Sequence, residues 1–271
     1  MTTTVVFAVP DGVHLLDLAG PAQAFSTAID MGVEYRLVYV GDNSLIDSHQ
    51  GVALQVTTEW PLLEPDDLVI VPGRRVGDGP PSPGLSSELI DLVAAHHGAG
   101  GRVASVCSGA FDLAEAKLLD GRRATTHHDL QDVFARKFPL VRVIRDVLYV
   151  VEDRIATSAG VASGIDLALH LIAVDHGASL AARIGRSMVI HNRRNGSSPQ
   201  ESVMLRHRDH MSDIVHRVQD TLDARFAELL LLQELAQSID VSERTLRSLS
   251  TLMRHHSPIF IEQMPPSRRA C

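Results

Sequence analysis

Short apolar runs rich in β-branched residues alternate with helical patterns along the first 190 residues, and this alternation constrains the fold more than any other feature. It is typical of a parallel sheet whose two faces are covered by helices. We therefore predict an α/β fold with a doubly wound parallel sheet. The predicted strands are 4–9, 35–40, 68–71, 102–106, 141–144, 148–151 and 155–157, and the predicted helices are 14–28, 85–97, 108–116, 129–137, 162–176 and 179–191.

A lone thiol lies at the turn between one predicted strand and the next helix. Cys107 follows the apolar run 103–106, and residues 108–111 begin a helical pattern. A helix N-terminus stabilises a thiolate, and such a turn resembles a nucleophile elbow with sulfur in place of the serine oxygen. The alternative is a small buried residue at the end of a core strand, since unpaired cysteines are among the most buried residues. The local sequence favours neither.

The composition excludes several classes of protein. No apolar run approaches the roughly 18 residues of a membrane span, and the first residues do not resemble a signal peptide, so we expect a cytoplasmic protein with no membrane partner. The second cysteine, Cys271, is the last residue, so neither a disulfide framework nor a thiolate zinc site is predicted. We predict no cofactor and no metal.

The net charge of −8 argues against a protein that coats nucleic acid, but the charge is unevenly distributed. From residue 204 onward, nine arginines balance nine acidic residues, so this region is neutral. A neutral region is compatible with DNA contact without being a strong electrostatic signal for it.

Four stretches, in order along the chain, resemble the ThiJ/PfpI superfamily, whose domains are related to class I glutamine amidotransferases. They are 15–25 (LLDLAGPAQAF), 69–73 (VIVPG), 105–127 (SVCSGAFDLAEAKLLDGRRATTH) and 157–169 (TSAGVASGIDLAL). Within that superfamily the match is closest to regulators that carry an AraC-type helix-turn-helix domain after the amidotransferase-like domain. The resemblance implies a flavodoxin-like fold with a nucleophile elbow, a small-molecule effector or substrate, a homodimer, and DNA as a partner.

The resemblance also implies a site around the thiol. It matches Asp17 to the acidic residue that faces the cysteine and His127 to a histidine near it, so Cys107, Asp17 and His127 are the predicted catalytic residues. A carboxyl group beside a thiol would share a proton with it, and its own pKa should rise through desolvation and like charge. The alternative for Asp17 is a first-turn aspartate that only complements the helix dipole.

Three further residues, Gly73, Arg74 and Ser108, are predicted to line the ligand pocket. Gly73 would direct backbone N–H groups toward it, although Arg74 stands where the family usually has a second glycine. His128 occupies a position where related regulators usually carry a large aromatic residue, and we predict an exposed residue at a helix start. Asp129 can cap the next helix.

The resemblance does not decide whether the protein is an enzyme or a ligand sensor. Superfamily peptidases and amidotransferases place a histidine beside the nucleophile as its general base, but residue 108 is serine and no Glu-His pair is present. Isocyanide hydratases of the same superfamily use a cysteine with an aspartate placed like Asp17. We therefore predict a ligand-responsive, DNA-binding transcriptional regulator, with a cysteine-dependent hydratase carrying a vestigial DNA-binding region as the alternative.

A polar segment rich in turn-forming residues predicts a linker at 193–209, between an amidotransferase-like domain at 1–192 and a partial AraC-type domain at 210–271. The second domain shows helical patterns at 210–226, 230–237 and 242–249, in the order of a helix-turn-helix unit. Ser242 can cap the third helix, whose apolar residues Leu246 and Leu249 should pack inward. The predicted DNA contacts are Ser242, Arg244, Thr245, Arg247 and Ser248.

AraC-type domains contain two helix-turn-helix units, and this sequence resembles only the first. Residues 250–271, which end in a segment with two consecutive prolines, do not resemble the expected continuation. We therefore expect DNA binding to be impaired or lost relative to relatives with both units, because half of the phosphate contacts and a groove-reading helix would be absent.

Overall fold

The computed structural model describes residues 2–76, 84–191, 194–200, 213–225 and 231–246. The chain divides into two compact units, 1–200 and 201–271. Of the helices in the described ranges, none is long and apolar enough to cross a membrane.

The first unit contains ten strands and six α-helices within its described residues. Its strands are β1 (Thr3–Ala8), β2 (Tyr35–Val40), β3 (Leu45–Asp47), β4 (Ala53–Gln55), β5 (Leu68–Val71), β6 (Arg102–Val106), β7 (Arg123–Ala124), β8 (Arg142–Val143), β9 (Tyr149–Glu152) and β10 (Ile155–Ser158). Its helices are α1 (Leu15–Asp30), α2 (Ser87–Gly98), α3 (Gly109–Glu115), α4 (Gln131–Lys137), α5 (Ser163–His176) and α6 (Ala178–Ser187), with a 3-10 helix (His128–Leu130) before α4. Six strands form the main sheet in the order β2-β1-β5-β6-β10-β9.

The sheet is mixed, which corrects the prediction of a wholly parallel sheet. Strands β2, β1, β5, β6 and β10 pair in parallel, but β9 pairs antiparallel with β10 and places Glu152 opposite Ile155. Only Asp153 and Arg154 join these two strands. A two-residue connection can join antiparallel neighbours only, because a parallel pair requires a long crossover. The hairpin therefore reverses the last strand of the sheet.

Helices cover both faces of this sheet. Val5 and Phe7 of β1 belong to a core that includes residues of α1, α5 and α6, whereas Val6 and Ala8 belong to a second core with residues of α2, α3 and α4. The alternation follows from the two-residue period of a strand, which sends successive side chains to opposite faces. The first unit thus has the α/β arrangement that the alternating sequence pattern predicts, in the flavodoxin-like form that the family resemblance implies.

Residues 194–200 belong to the first unit and pack against its sheet, although the sequence predicts a linker there. The Gly196 carbonyl oxygen accepts the Leu148 N–H at 2.8 Å, and Gln200 Nε2 donates to the Val147 carbonyl oxygen at 3.0 Å. This segment therefore covers the edge at β9 and contributes side chains to the region beyond the carboxyl ends of the strands.

The second unit contains α7 (Asp213–Ala224), α8 (Leu232–Ser238) and helical residues 243–246. Within these described residues, the buried apolar side chains form a cluster that includes Val218 of α7, Leu235 of α8 and Leu246 of the third helical segment. Leu246 packs inward, as predicted, with 1% of its surface exposed. Arg247, Ser248 and Leu249 lie outside the described residues.

Candidate functional site

Cys107 lies in a left-handed turn between β6 and α3. Its φ angle is 56°, a conformation that costs a residue other than glycine about 1–3 kcal/mol. Two hydrogen bonds hold the turn: Cys107 N donates to the Ser158 carbonyl oxygen at 3.0 Å, and Thr126 Oγ1 donates to the Cys107 carbonyl oxygen at 2.8 Å. The sheet and the loop after β7 thus impose the backbone geometry of a nucleophile elbow.

Asp17 and Cys107 are neighbours at this turn. Asp17 comes from the first turn of α1, is 1% exposed, and accepts the Val161 N–H on Oδ1 at 2.6 Å. A Cβ added to Gly73 would lie 2.6 Å from Asp17 Oδ2 and 2.7 Å from Cys107 Cβ, so the loop after β5 runs directly against both groups. The structure therefore brings together the carboxyl group, the thiol and Gly73, as the resemblance implies.

Burial decides the protonation of this pair. Burial raises the pKa of Asp17, and burial together with the nearby Asp17 charge raises the pKa of the Cys107 thiol. The Ser108 N–H at the start of α3 lowers the pKa of Cys107 but is outweighed. The local sequence left a thiolate stabilised by the helix N-terminus and a buried thiol equally open, and the enclosed site, with 7% of Cys107 exposed, favours the neutral thiol.

His127 lies at a cavity next to the thiol and is not among the groups that shift the Cys107 pKa, which are Asp17, Ser108 and Asp129. Burial lowers the pKa of His127, and the neighbouring His128 lowers it further. His127 is therefore a neutral imidazole on the wall of a pocket, and these interactions do not place it as the base that activates Cys107.

His14 is a further functional candidate, not predicted from the sequence. It precedes α1, its backbone N–H donates to the Gly73 carbonyl oxygen at 2.9 Å, and its imidazole interacts electrostatically with both Asp17 and His127. Burial lowers the pKa of His14. The only signal in the sequence was its position three residues before Asp17.

The Ser108 side chain hydrogen-bonds to the backbone of Arg74. Its Oγ accepts the Arg74 N–H at 2.9 Å and donates to the Arg74 carbonyl oxygen at 2.8 Å. These two bonds tie the loop after β5 to the start of α3. Arg74 and Ser108, both predicted as pocket residues, therefore brace the elbow, and neither is among the residues that line the cavity described next.

A cavity of about 160 Å³ lies beside the thiol, at the N-terminus of α5. Gly160 lies between the cavity and the thiol: it lines the cavity, and a Cβ added to it would lie 2.9 Å from Cys107 Sγ. The cavity is lined by His127, His128, Leu148, Ala159, Gly160, Val161, Ala162, Ser163, Arg194 and Gln200. It is small compared with pockets for drug-sized ligands, which have volumes of about 300–1,000 Å³.

Arg194 supplies the positive charge of this cavity. Its Nε and Nη2 donate to Asp166 Oδ2 at 3.0 and 2.6 Å, and its backbone N–H donates to Asp166 Oδ1 at 3.2 Å. Asp166 lies in the first turn of α5 with a side chain 5% exposed, whereas the Arg194 side chain is 37% exposed. The buried carboxylate thus fixes the guanidinium at the cavity wall. Arg194 was not predicted as a site residue from the sequence, because it lies in the segment predicted as a linker.

Asp112, one turn into α3, makes the stability of this region dependent on pH. It is buried, and Oδ1 accepts the N–H groups of Gly84 and Leu85 at 2.6 and 2.9 Å. Burial raises its pKa from 3.8 to about 6. Because the folded state holds the Asp112 proton more tightly than the unfolded state does, protonation of Asp112 stabilises the folded state. This contribution to the free energy of unfolding is complete below about pH 4 and is lost as the pH rises to about 6. We expect Asp112→Asn to remove this decline, about 2–3 kcal/mol in the free energy of unfolding.

The measurement is urea denaturation at intervals between pH 4 and pH 7. Asp91→Asn is the control, since Asp91 is an exposed carboxylate on α2. The amide that replaces the Asp112 carboxyl group keeps an oxygen that can accept the two N–H bonds, so the variant should fold. The same pH dependence in Asp112→Asn and the wild-type chain would show that Asp112 is not the titrating group.

Comparison with known proteins identifies relatives of the first unit. The profile of the DJ-1/PfpI family matches residues 3–174. An "uncharacterized protein in cpoL 5'region" of Streptomyces lividans is 42% identical over 137 residues, which cover 50% of this chain and 94% of that protein.

Two further relatives carry functional names. The HTH-type transcriptional regulator CdhR of Pseudomonas aeruginosa is 30% identical over 189 residues, 70% of this chain and 54% of that protein. The isonitrile hydratase of Pseudomonas putida is 33% identical over 162 residues, 59% of this chain and 66% of that protein. The chain spans about half the length of the regulators it matches.

Solved structures share the fold. The crystal structure of an AraC family transcriptional regulator from Pseudomonas putida has a TM-score of 0.61 at 18% identity, and the match covers 69% of this chain and 99% of that one. Drosophila melanogaster DJ-1beta has a TM-score of 0.56 at 16% identity, with 71% and 100% covered.

Proposed function

The chain belongs to the DJ-1/PfpI family, and we propose that it is a ligand-responsive, DNA-binding transcriptional regulator whose DJ-1/PfpI domain senses a small molecule. In this proposal the protein acts as a homodimer that positions a helix-turn-helix unit of each copy on paired DNA half-sites.

The enclosed thiol is the observation that carries the proposal. A cysteine nucleophile needs a thiolate and access to substrate. Cys107 has a raised pKa, is 7% exposed, and is covered by the backbone of Gly73 and Gly160. This arrangement suits a domain that binds a ligand beside the cysteine better than one that attacks it.

The adjacent cavity offers groups for a small, negatively charged ligand. The Arg194 guanidinium has N–H groups beyond those that bind Asp166, and the N-terminus of α5 opens onto the same space. A helix N-terminus and a fixed guanidinium both favour an anionic group. Gln200 also lines the cavity, and among the described residues its Oε1 is buried without a hydrogen-bond partner.

The second unit offers features suited to DNA contact. A turn with Asp240 at a φ angle of 57° follows α8, and Ser242 Oγ accepts the Thr245 N–H at 3.1 Å as an N-cap of the third helical segment. Arg244 is exposed on this segment while Leu246 is buried. An exposed polar face on the helix after a turn is typical of a recognition helix. The names of the related regulators support the same function.

DNA binding by the full chain tests the proposal. We expect fluorescence anisotropy at two salt concentrations to show tighter binding to DNA from its own upstream region than to a scrambled fragment. Arg244→Ala should weaken this binding about tenfold, because a base contact contributes about 1–3 kcal/mol.

Arg183→Ala is the matched control for charge, since Arg183 is an exposed arginine of α6 in the first unit. It should leave the affinity unchanged. Equal weakening by both variants would indicate a nonspecific charge effect, and the absence of selective binding by the folded chain would contradict a regulator.

A cysteine-dependent hydratase is the second candidate, favoured by the interaction between the Asp17 and Cys107 side chains and by the relation to isonitrile hydratase. The Cys107 sulfur would add to the isonitrile carbon, which would receive the proton shared with Asp17. Water would then add to the resulting C=N bond and expel the thiol, leaving an N-substituted formamide. Consumption of an isonitrile that Cys107→Ser abolishes would favour this function over the sensor.

A further inference from the structure

We propose that His127, His128 and Asp129 form a binding site for one divalent transition-metal ion on the wall of the cavity beside Cys107. This site is independent of DNA binding and of the function of the thiol. No metal site was predicted from the sequence, because its two cysteines do not support a thiolate zinc site.

The distances within the cluster fit a shared ion. His127 Nδ1 lies 3.5 Å from Asp129 Oδ2, and His128 Nδ1 lies 3.1 Å from Asp129 Oδ1. One ligand atom can be chosen from each residue so that all three lie within 4.8 Å of one another. Two ligands each about 2.0–2.1 Å from a tetrahedral zinc ion are about 3.4 Å apart. Small side-chain rotations would therefore bring the three ligands to bonding distance.

The donor set selects a class of ion. Two imidazole nitrogens with one carboxylate oxygen suit zinc and its first-row neighbours, whereas magnesium and calcium prefer oxygen ligands only. Three protein ligands also leave at least one coordination position for water or another molecule, as in open zinc sites. Since His127 and His128 both line the cavity, that position would be available to a ligand that enters there.

The local backbone already places the three ligand side chains close together. The 3-10 helix begins at His128, and the imidazole rings of His127 and His128 already lie side by side, tilted by 31° with centroids 4.2 Å apart. His127 Nδ1 accepts the Asp129 N–H at 3.4 Å, so this nitrogen presents a lone pair, and a bond of that length is weak enough for a metal to replace. The His128 and Asp129 side chains are 41% and 74% exposed, which leaves the site open to ions from solution.

Zinc binding to the full chain tests this proposal. We expect the metal-stripped protein to compete with a chromophoric chelator for one equivalent of Zn²⁺ and to gain thermal stability when Zn²⁺ is present, because an ion that binds only the folded state raises Tm. His128→Ala and Asp129→Asn should each lower the affinity at least tenfold and remove most of the Tm increase.

The chain has 14 histidines, so weak binding elsewhere must be separated from the site. His191→Ala and Asp30→Asn are matched controls, since both residues are exposed and lie outside the cluster. Circular dichroism checks that each variant is folded. Equal loss of affinity in controls and cluster variants, or no saturable binding of one equivalent, would overturn the proposal. Loss of DNA binding would not affect it.

Discussion

Gly160→Ala should destabilise the first unit by about 3 kcal/mol or more, among the largest effects expected of a single substitution in this protein. The φ angle of Gly160 is 93°, where an L-residue is strained, and the added Cβ would lie 2.2 Å from Cys107 Cβ and 2.8 Å from Cys107 Cα. The elbow cannot move away, because the backbone N–H and carbonyl oxygen of Cys107 are both hydrogen-bonded. Urea denaturation followed by circular dichroism measures the effect.

Gly185→Ala is the matched control. Gly185 lies inside α6, and nothing lies within 4 Å of the position that its Cβ would occupy. Alanine in a helix interior is about 0.5–1 kcal/mol more favourable than glycine, so this variant should be slightly more stable than wild type. Similar stabilities for Gly160→Ala and wild type would mean that the loop after β10 does not pack against the thiol as closely as the structure has it.

The sequence predicts individual elements well where a short apolar run is bounded by polar turns. The bounds of β2, β5 and β6 match the prediction because each is such a run. The exposed strands β3 and β4 were missed, since only one of their six residues, Ile46, is buried and no hydrophobic pattern develops. Strand direction was also missed at β9, because a hydrophobic pattern indicates a strand without indicating which way it runs.

For the site, too, some features could be predicted from the sequence and others depend on contacts between distant parts of the chain. The family resemblance placed Asp17 near Cys107, and the structure brings them together. The sequence could not reveal how completely Gly160 covers the thiol, since that depends on a loop that follows a different strand. Arg194 was hidden for a similar reason: its partner Asp166 lies 28 residues earlier, and the segment around Arg194 has the composition of a linker.

The reactivity of Cys107 distinguishes the two candidate functions. We expect it to react with iodoacetamide at pH 7.5 at least about tenfold more slowly than N-acetylcysteine, because each unit by which a thiol pKa rises removes about nine-tenths of its thiolate at neutral pH. Burial raises this pKa and so does the Asp17 carboxylate, so Asp17→Asn should accelerate the reaction several-fold by removing the like charge. A Cys271→Ser background restricts the labelling, followed by mass spectrometry, to Cys107.

Asp120→Asn controls for the substitution itself, since Asp120 is an exposed carboxylate outside the site. Its labelling rate should equal that of the parent chain. A Cys107 that reacts faster than N-acetylcysteine, and slower once Asp17 is replaced, would mean that the carboxyl group holds the shared proton and the sulfur holds the charge. That distribution is the one a hydratase requires, because the sulfur must attack carbon. If Cys107 instead reacts slowly, and faster once Asp17 is replaced, the sulfur is not activated for attack on a substrate. The cavity beside it is then the part of the site that responds to a ligand.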